Sequence, residues 1–327
     1  MNYPKLLNQC WQKHLDNDKK GPTVISTFAG CGGSSLGYSM AGFHELLAVE
    51  WDDKAVETLR LNFPNVKVFH NDIANLSIDE CLALAGIKVG ELDVLDGSPP
   101  CQGFSTAGKR NYGDDRNSLY REYLRLLIGL KPKVFVMENV SGLIKGIMKN
   151  RFLEIMADFK NAGYRVKCKL MNAANYHVPQ SRSRIIFLGI RNDLKEKITF
   201  PIKVKPIYTV KEAWKELPED NEFHTSPLII TYWKKTKPGK SCGKFHARKK
   251  LDFNKPSPCF THRPHYHPFK AREITLIEDK RLASFPDQFT FIDNRLNAMT
   301  QIANSVLPLM MMAIAEHIRK HLLPKGE

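Results

Sequence analysis

The 327-residue chain has no Cys-x-x-Cys pair, no internal repeat, no low-complexity tract and, in its first 20 residues, no long apolar run. Seven cysteines, at positions 10, 31, 81, 101, 168, 242 and 259, form an odd set without paired spacing. That argues against a secreted disulfide framework and leaves at least one thiol free. The first 20 residues carry Lys5, Lys13, His14, Asp16, Asp18 and Lys19, so neither a signal peptide nor a membrane helix is expected there. A reducing intracellular setting is the expectation. Acidic charge is also short: 34 Asp and Glu stand against 49 Lys and Arg, a net charge of +15 that points to a polyanionic partner. The shortage is local. Residues 1–190 carry 24 basic and 19 acidic side chains, residues 191–327 carry 25 and 15, and residues 233–250 hold eight Lys or Arg with no acid.

What is present describes a folded protein with an ordinary core, 43% apolar and 25% charged. Up to residue 190, short β-branched and apolar runs alternate with helical spacing. Strands are expected at 23–28, 46–50, 66–69, 92–95, 134–137, 164–170 and 184–190. Helices are expected after the first glycine cluster to Gly42, at 52–62, at 118–130 and at about 150–162. This alternation implies a mainly parallel sheet covered on both faces. Residues 195–255 lose any sustained period and read as a small separate lobe. Within 272–291 an amphipathic helix ending in Phe285-Pro286-Asp287 is expected, and a last apolar helix over 298–317.

Several turns and strand ends carry chemistry. Gly30, Gly32, Gly33 and Gly37 follow the first strand, where a backbone can approach a ligand without Cβ clashes. The spacing is not G-x-G-x-x-G, so a merely tight turn remains open. Glu50 closes the second strand, where a carboxylate can take ribose hydroxyls, with Trp51 beside it to stack on adenine, and Asp72 follows the third. Helix capping by Glu50 and Asp72 is the plain alternative. Pro99-Pro100-Cys101-Gln102 follows the fourth strand; a thiol on such a rigid, accessible turn suits a nucleophile. Glu138 closes the fifth strand and is suited to hold or deliver a proton. Gln180, Arg182 and Arg184 alternate, so all three are expected on one face of a strand, where guanidinium groups suit a phosphate or carbonyl oxygen.

Taken together, these segments resemble the bacterial DNA cytosine C5-methyltransferases. The resemblance rests on Phe28-Ala29-Gly30-Cys31-Gly32-Gly33, Glu50-Trp51-Asp52, Asn71-Asp72-Ile73, the Pro-Pro-Cys-Gln turn and Asp115-Arg116-Asn117-Ser118-Leu119. It continues through Glu138-Asn139-Val140, Gln180-x-Arg182-x-Arg184, His267-Pro268, Arg272, Glu278, Arg281-Leu282, Phe285-Pro286-Asp287 and Gln301-Ile302-Ala303-Asn304-Ser305-Val306. It spans residues 23 to 317. Departures are Ser26-Thr27 before the glycine turn, Ala303 and Leu307 in the last motif, and Cys259-Phe260-Thr261, which is similar to the tRNA-methylating branch.

The resemblance implies an α/β fold: a Rossmann-like S-adenosylmethionine-dependent methyltransferase sheet with a small, irregular target-recognition lobe. It divides the chain into an N-terminal extension (1–22), a catalytic and cofactor-binding domain (23–190), the recognition lobe (191–257) and a C-terminal segment (258–327) whose last helix returns to the first strand. It implies Cys101 as nucleophile, Glu138 on the cytosine N3 edge, and Arg184 with Arg182 on O2 and phosphate. Gln102, Ser105, Asn139 and Gln180 would contact the substrate. The pocket for S-adenosyl-L-methionine, and for the product S-adenosyl-L-homocysteine, would comprise Phe28, Ala29, Gly30, Gly32, Gly33, Glu50, Trp51, Asp72, Ile73, Pro100, Leu119, Asn304, Ser305 and Val306, with no metal. Double-stranded DNA would be bound by a monomer, the target base flipped out, with Tyr232, Trp233, Phe245 and His246 reaching bases. A partner restriction endonuclease acting on the same site, no membrane contact and a cytoplasmic, nucleoid-associated location belong to the same expectation. A tRNA substrate, an inactive DNA-binding relative, and a zinc site at Cys242, His246, Cys259 and His262 stay open as alternatives.

Overall fold

The computed structural model describes residues 2–100, 118–144, 148–218, 221–241, 248–260 and 263–324. Seven strands form one sheet: β1 (Thr23–Thr27), β2 (His44–Glu50), β3 (Lys67–His70), β4 (Val94–Gly97), β5 (Val134–Val140), β6 (Tyr164–Asn172) and β8 (Ser183–Arg191), in the order β3-β2-β1-β4-β5-β8-β6. The first five are parallel, as continuous apolar runs joined by helices require. β8 runs antiparallel between β5 and β6. A short pair, β7 (Gln180–Ser181) with β9 (Ser257–Pro258), stands apart.

Helices α2 (Gly33–Met40), α3 (Asp53–Asn62), α5 (Ser118–Leu130) and α6 (Lys149–Asn161) occupy the expected segments. Two others were not expected. α1 (Tyr3–Leu15) buries Tyr3, Leu7 and Cys10 along one face, and Tyr3 donates its hydroxyl to the Arg281 carbonyl at 3.0 Å. α4 (Ile78–Ala85) is capped by Ser77, whose hydroxyl accepts from Glu80 N. The aperiodic region 195–255 holds α7 (Val210–Ala213) and α8 (Pro227–Lys235).

Both C-terminal helices expected from the sequence are shorter than the periodicity suggested. In place of a helix from 272 that ends in Phe285-Pro286-Asp287, α9 (Leu276–Leu282) starts at a Thr275–Glu278 capping box and stops before Ser284, at φ +63°, ahead of Pro286. In place of one over 298–317, α10 (Arg295–Asn304) and α11 (Pro308–His321) are separated by extended residues, with Pro308 opening the second. Although 295–321 is apolar and long enough to cross a membrane, 67% of its most apolar window lies inside the fold.

α11 packs on α2, the helix that follows the first strand, so the expected fold-back occurs one element later than foreseen. A Cβ on Gly37 would lie 2.6 Å from the Met311 Cβ, so only glycine lets the two backbones approach this closely. Around α9, Arg272 grips Glu278 with two bonds of 2.8 Å, both side chains buried. Arg281 holds Asp287 and also reaches the carbonyls of Ala213, Lys215 and Glu216. Arg272→Leu strands a buried carboxylate, and a loss of about 3–5 kcal/mol is expected, read as a lower urea midpoint at unchanged slope.

Candidate active site

Strand register brings the site together. Val49, Thr27, Gly97 and Met137 form one row across β2, β1, β4 and β5. The next residue on each strand, Glu50, Phe28, Ser98 and Glu138, therefore stands at the carboxyl edge, where open α/β sheets bind ligands.

The glycine turn needs left-handed backbone at Phe28 (φ +54°), Gly30 (+57°) and Gly32 (+93°), and Gly32 caps α2. A Cβ on Gly30 would meet nothing within 4 Å, so the space over the turn is open. Glu50 ties the turn down: one carboxylate oxygen accepts from Gly30 N at 2.7 Å, the other from Trp51 N and Asp52 N at 3.0 Å each. Burial raises its pKa above the usual carboxylate value, opposed by these N–H donors. Trp51 is 74% exposed, its ring free of the core. The α3 cap is Asp52 rather than Glu50, whereas Asp72 caps the short turn Ile73–Asn75, its side chain accepting from Ala74 N. Ile73 is buried in the core and Leu119 packs against it. Asn304 is exposed while Ser305 and Val306 are buried beside it.

Cys101, Gln102 and Ser105 lie outside the described residues. Their entry is described: the Asn139 carboxamide donates to the Pro99 carbonyl at 3.3 Å, fastening the Pro-Pro lead-in to β5. Glu138 lies one strand from that lead-in and pairs with Arg184 at 2.7 Å. Three of the described cysteines are sealed in the core, where burial pushes their thiols up, Cys10 and Cys81 to about 11 and Cys31 to about 12.

Gln180, Arg182 and Arg184 do not share one strand face. Gln180 sits in β7, fully buried, and Arg184 in β8. Arg182 turns inward and donates to the carbonyls of Ala303 (2.7 Å) and Ser305 (3.0 Å), fastening the turn that carries Asn304. The alternation breaks because Arg182 falls between the short β7–β9 ladder and the start of β8 in the main sheet.

Sequence reasoning missed two buried carboxyls beneath α2. Asp96 accepts from Ser34 (2.5 Å) and Tyr38 (3.3 Å), and Glu45 accepts from Ser35 (2.9 Å). A lone acid inside an apolar strand was the available signal. Burial pushes both up to about 7. Between the usual Glu value and about 7, the folded chain keeps a proton on Glu45 that the unfolded chain has lost. Stability from this group is thus full at acid pH, falls as pH rises through that window and stays reduced above it. Glu45→Gln is expected to remove the fall, raising stability at pH 8 relative to the parent by roughly 3 kcal/mol, measured by urea denaturation at pH 5 and 8.

In the basic lobe, Trp233 is tied to the scaffold: its N–H donates to the His267 carbonyl at 2.7 Å and Lys250 Nζ lies 3.5 Å from its ring centre. Phe245 and His246 lie outside the described residues, as do Cys242 and His262 of the zinc alternative. Cys259 contacts Arg182, and no metal-binding group of three or more His, Cys, Asp or Glu occurs among the described residues.

A sequence profile of the C-5 cytosine-specific DNA methylases matches residues 22–252 and 208–320 in two overlapping segments. Type II methyltransferase M1.HphI of Haemophilus parahaemolyticus is 38% identical, the match covering 91% of this chain and 87% of that protein. Type II methyltransferase M.DdeI of Desulfomicrobium norvegicum is 34% identical over 90% and 88%. Among solved structures, a DNA modification methyltransferase encoded within an E. coli prophage superposes with a TM-score of 0.81 at 26% identity, covering 92% of this chain and 99% of that one. The Spodoptera frugiperda DNMT2 structure shares the fold at TM-score 0.68 and 17% identity, over 89% and 98%. The glycine turn, the acidic strand ends and the Pro-Pro-Cys lead-in thus stand on the fold and in the order of one lineage: this chain belongs to the C-5 cytosine-specific DNA methylase family and is a DNA (cytosine-5)-methyltransferase.

Proposed function

We propose that methyl transfer runs through a covalent bond between Cys101 and C6 of a flipped-out cytosine, with Glu138 and Arg184 as its partners. The observation that carries this reading is the Glu138–Arg184 pair at the sheet edge, one strand from the lead-in to Cys101. C5 of cytosine is too weak a nucleophile to take a methyl group directly. Addition of the Cys101 thiolate at C6 pushes ring electrons toward C5. Glu138 holds N3 and balances the charge that develops there, and Arg184 holds both Glu138 and the cytosine O2. Once C5 is methylated, loss of its proton and of the Cys101 sulfur restores the aromatic ring as 5-methylcytosine. Arg182 acts from behind, by holding the Asn304 turn.

Family membership implies S-adenosylmethionine, which when bound supplies the methyl group. The residues fit it. Gly30 leaves open space, Trp51 offers an exposed ring, and the Glu50 carboxylate keeps lone-pair capacity for a ribose hydroxyl beyond its three N–H donors. Asp72 and Ile73 would flank the adenine, with Pro100, Leu119 and Asn304 to Val306 closing the pocket. The lobe 191–257 would bind DNA, its lysines on phosphates. Likeness to type II methyltransferases supports a restriction-modification role acting on a short sequence. Labelled methyl transfer to genomic DNA and to tRNA in parallel, with bisulfite sequencing of the DNA, tests this. Label confined to tRNA would sink the assignment of duplex DNA.

A further inference from the structure

Helix α2 is sandwiched between the sheet and α11. Apolar packing on both sides fixes its distance from the sheet but only weakly its slide along its own axis, because dispersion contacts are individually small and nondirectional. Hydrogen bonds fix that slide. Among the described residues, the side-chain bonds from α2 to the sheet are those of Ser34 and Tyr38 to Asp96, and of Ser35 to Glu45. Ser34 and Tyr38 lie four residues apart, on one helix face, and converge on a single carboxyl.

Asp96 sits where two functional turns diverge. On β4 it is five residues before Cys101, and its backbone carbonyl accepts from the Thr27 hydroxyl at 3.0 Å, joining the ends of β1 and β4. Beyond it, Gly97 is pressed against Tyr123, whose ring a Cβ would approach to 2.6 Å. Ser34 is the second residue of α2, directly after the glycine turn. We propose that Asp96 is a positioning residue for methyl transfer: through Ser34 and Tyr38 it holds the glycine turn in axial register with the strand that presents the cysteine turn.

The surroundings suit a neutral anchor. Asp96 is 4% exposed, feels the charges of Glu45 of β2 and Glu138 of β5, has Tyr123 of α5 across the sheet besides its two α2 partners, and has no cationic partner among the described residues. Burial first, then the Glu45 and Glu138 charges, push its carboxyl up to about 7. An asparagine there reproduces the neutral carboxyl, accepting from Tyr38 and bonding Ser34.

The inference rests on the glycine turn holding the cofactor and on Cys101 as nucleophile. Single-turnover transfer of labelled methyl to saturating DNA separates rate constant from amplitude, while calorimetry gives cofactor affinity. Asp96→Ala is expected to lower the rate constant about 10- to 100-fold, since a displacement near 1 Å costs on this order, with cofactor affinity changed less than about threefold. Asp96→Asn is expected to restore the rate to within about threefold, and Ser34→Ala, which spares the Tyr38 bond, to slow transfer about three- to tenfold. A purely structural role would lower amplitude and leave the rate constant alone. A wild-type rate constant in Ser34→Ala or Asp96→Ala, or an Asp96→Asn protein as slow as Asp96→Ala, overturns the proposal. Should Asp96→Ala fail to fold, Ser34→Ala decides. Failure of the parent protein to bind the cofactor or to label DNA would instead strike the underlying reading of the two turns.

Discussion

Cys101→Ser is expected to bring methyl transfer below detection, a fall of at least about 10⁴-fold, while the cofactor still binds with its parental affinity. The chemistry dictates the size of the effect. A serine hydroxyl is scarcely ionised near neutrality and adds poorly to C6, and without that addition C5 stays aromatic and inert. The thiols of Cys10, Cys31 and Cys81 cannot substitute, because burial holds them protonated and away from solvent. The cofactor turn owes its shape to Glu50 and to α2 packing, which the substitution does not touch. Isotopic transfer to DNA, paired with calorimetry of cofactor binding, measures both halves. Methylation that survives in the serine variant would remove covalent catalysis from the account.

Glu138→Gln carries the second largest expected loss, about 10²- to 10⁴-fold in the rate of methyl transfer. The amide keeps the size of the side chain and can still accept from Arg184, whose Nε lies 2.7 Å from the carboxylate. It cannot answer charge on the ring as a carboxyl group does. The loss should therefore fall on the chemical step, with DNA affinity nearly unchanged. A rate within about threefold of the parent would place the proton chemistry elsewhere. Comparison with Arg184→Lys separates geometry from charge, because a lysine keeps the charge and loses the planar fork that sets the carboxylate plane.

Much of the framework could be read from residue order. All seven sheet strands lie where the sequence placed them, the five inner ones because strands buried on both faces must be nearly apolar throughout. The acids at the strand ends were legible for the same reason: a charge that closes such a run has nowhere to go but the edge. Where reading failed, tertiary context decided. Periodicity ran through Ser305–Leu307 as if the last helix were continuous, yet local backbone chemistry stopped it there, and the helix expected to end at Phe285-Pro286-Asp287 stops earlier, at Leu282. Arg182 and Arg184 have identical chemistry two residues apart, and only the third dimension sends one to the carbonyls of the last turn and the other to Glu138. Asp96 escaped notice because its partners, Ser34 and Tyr38, lie some sixty positions earlier in the chain.

The packing of α11 on α2 also imposes a timetable. During synthesis the sheet strands leave the ribosome long before residues 300–321 do, and domains fold as their chain emerges. Until the last turn arrives, α2 has its sheet contacts but no cover, and Arg182 has no carbonyls to grasp. A nascent chain can therefore hold its strands in order and still be incompetent to modify DNA.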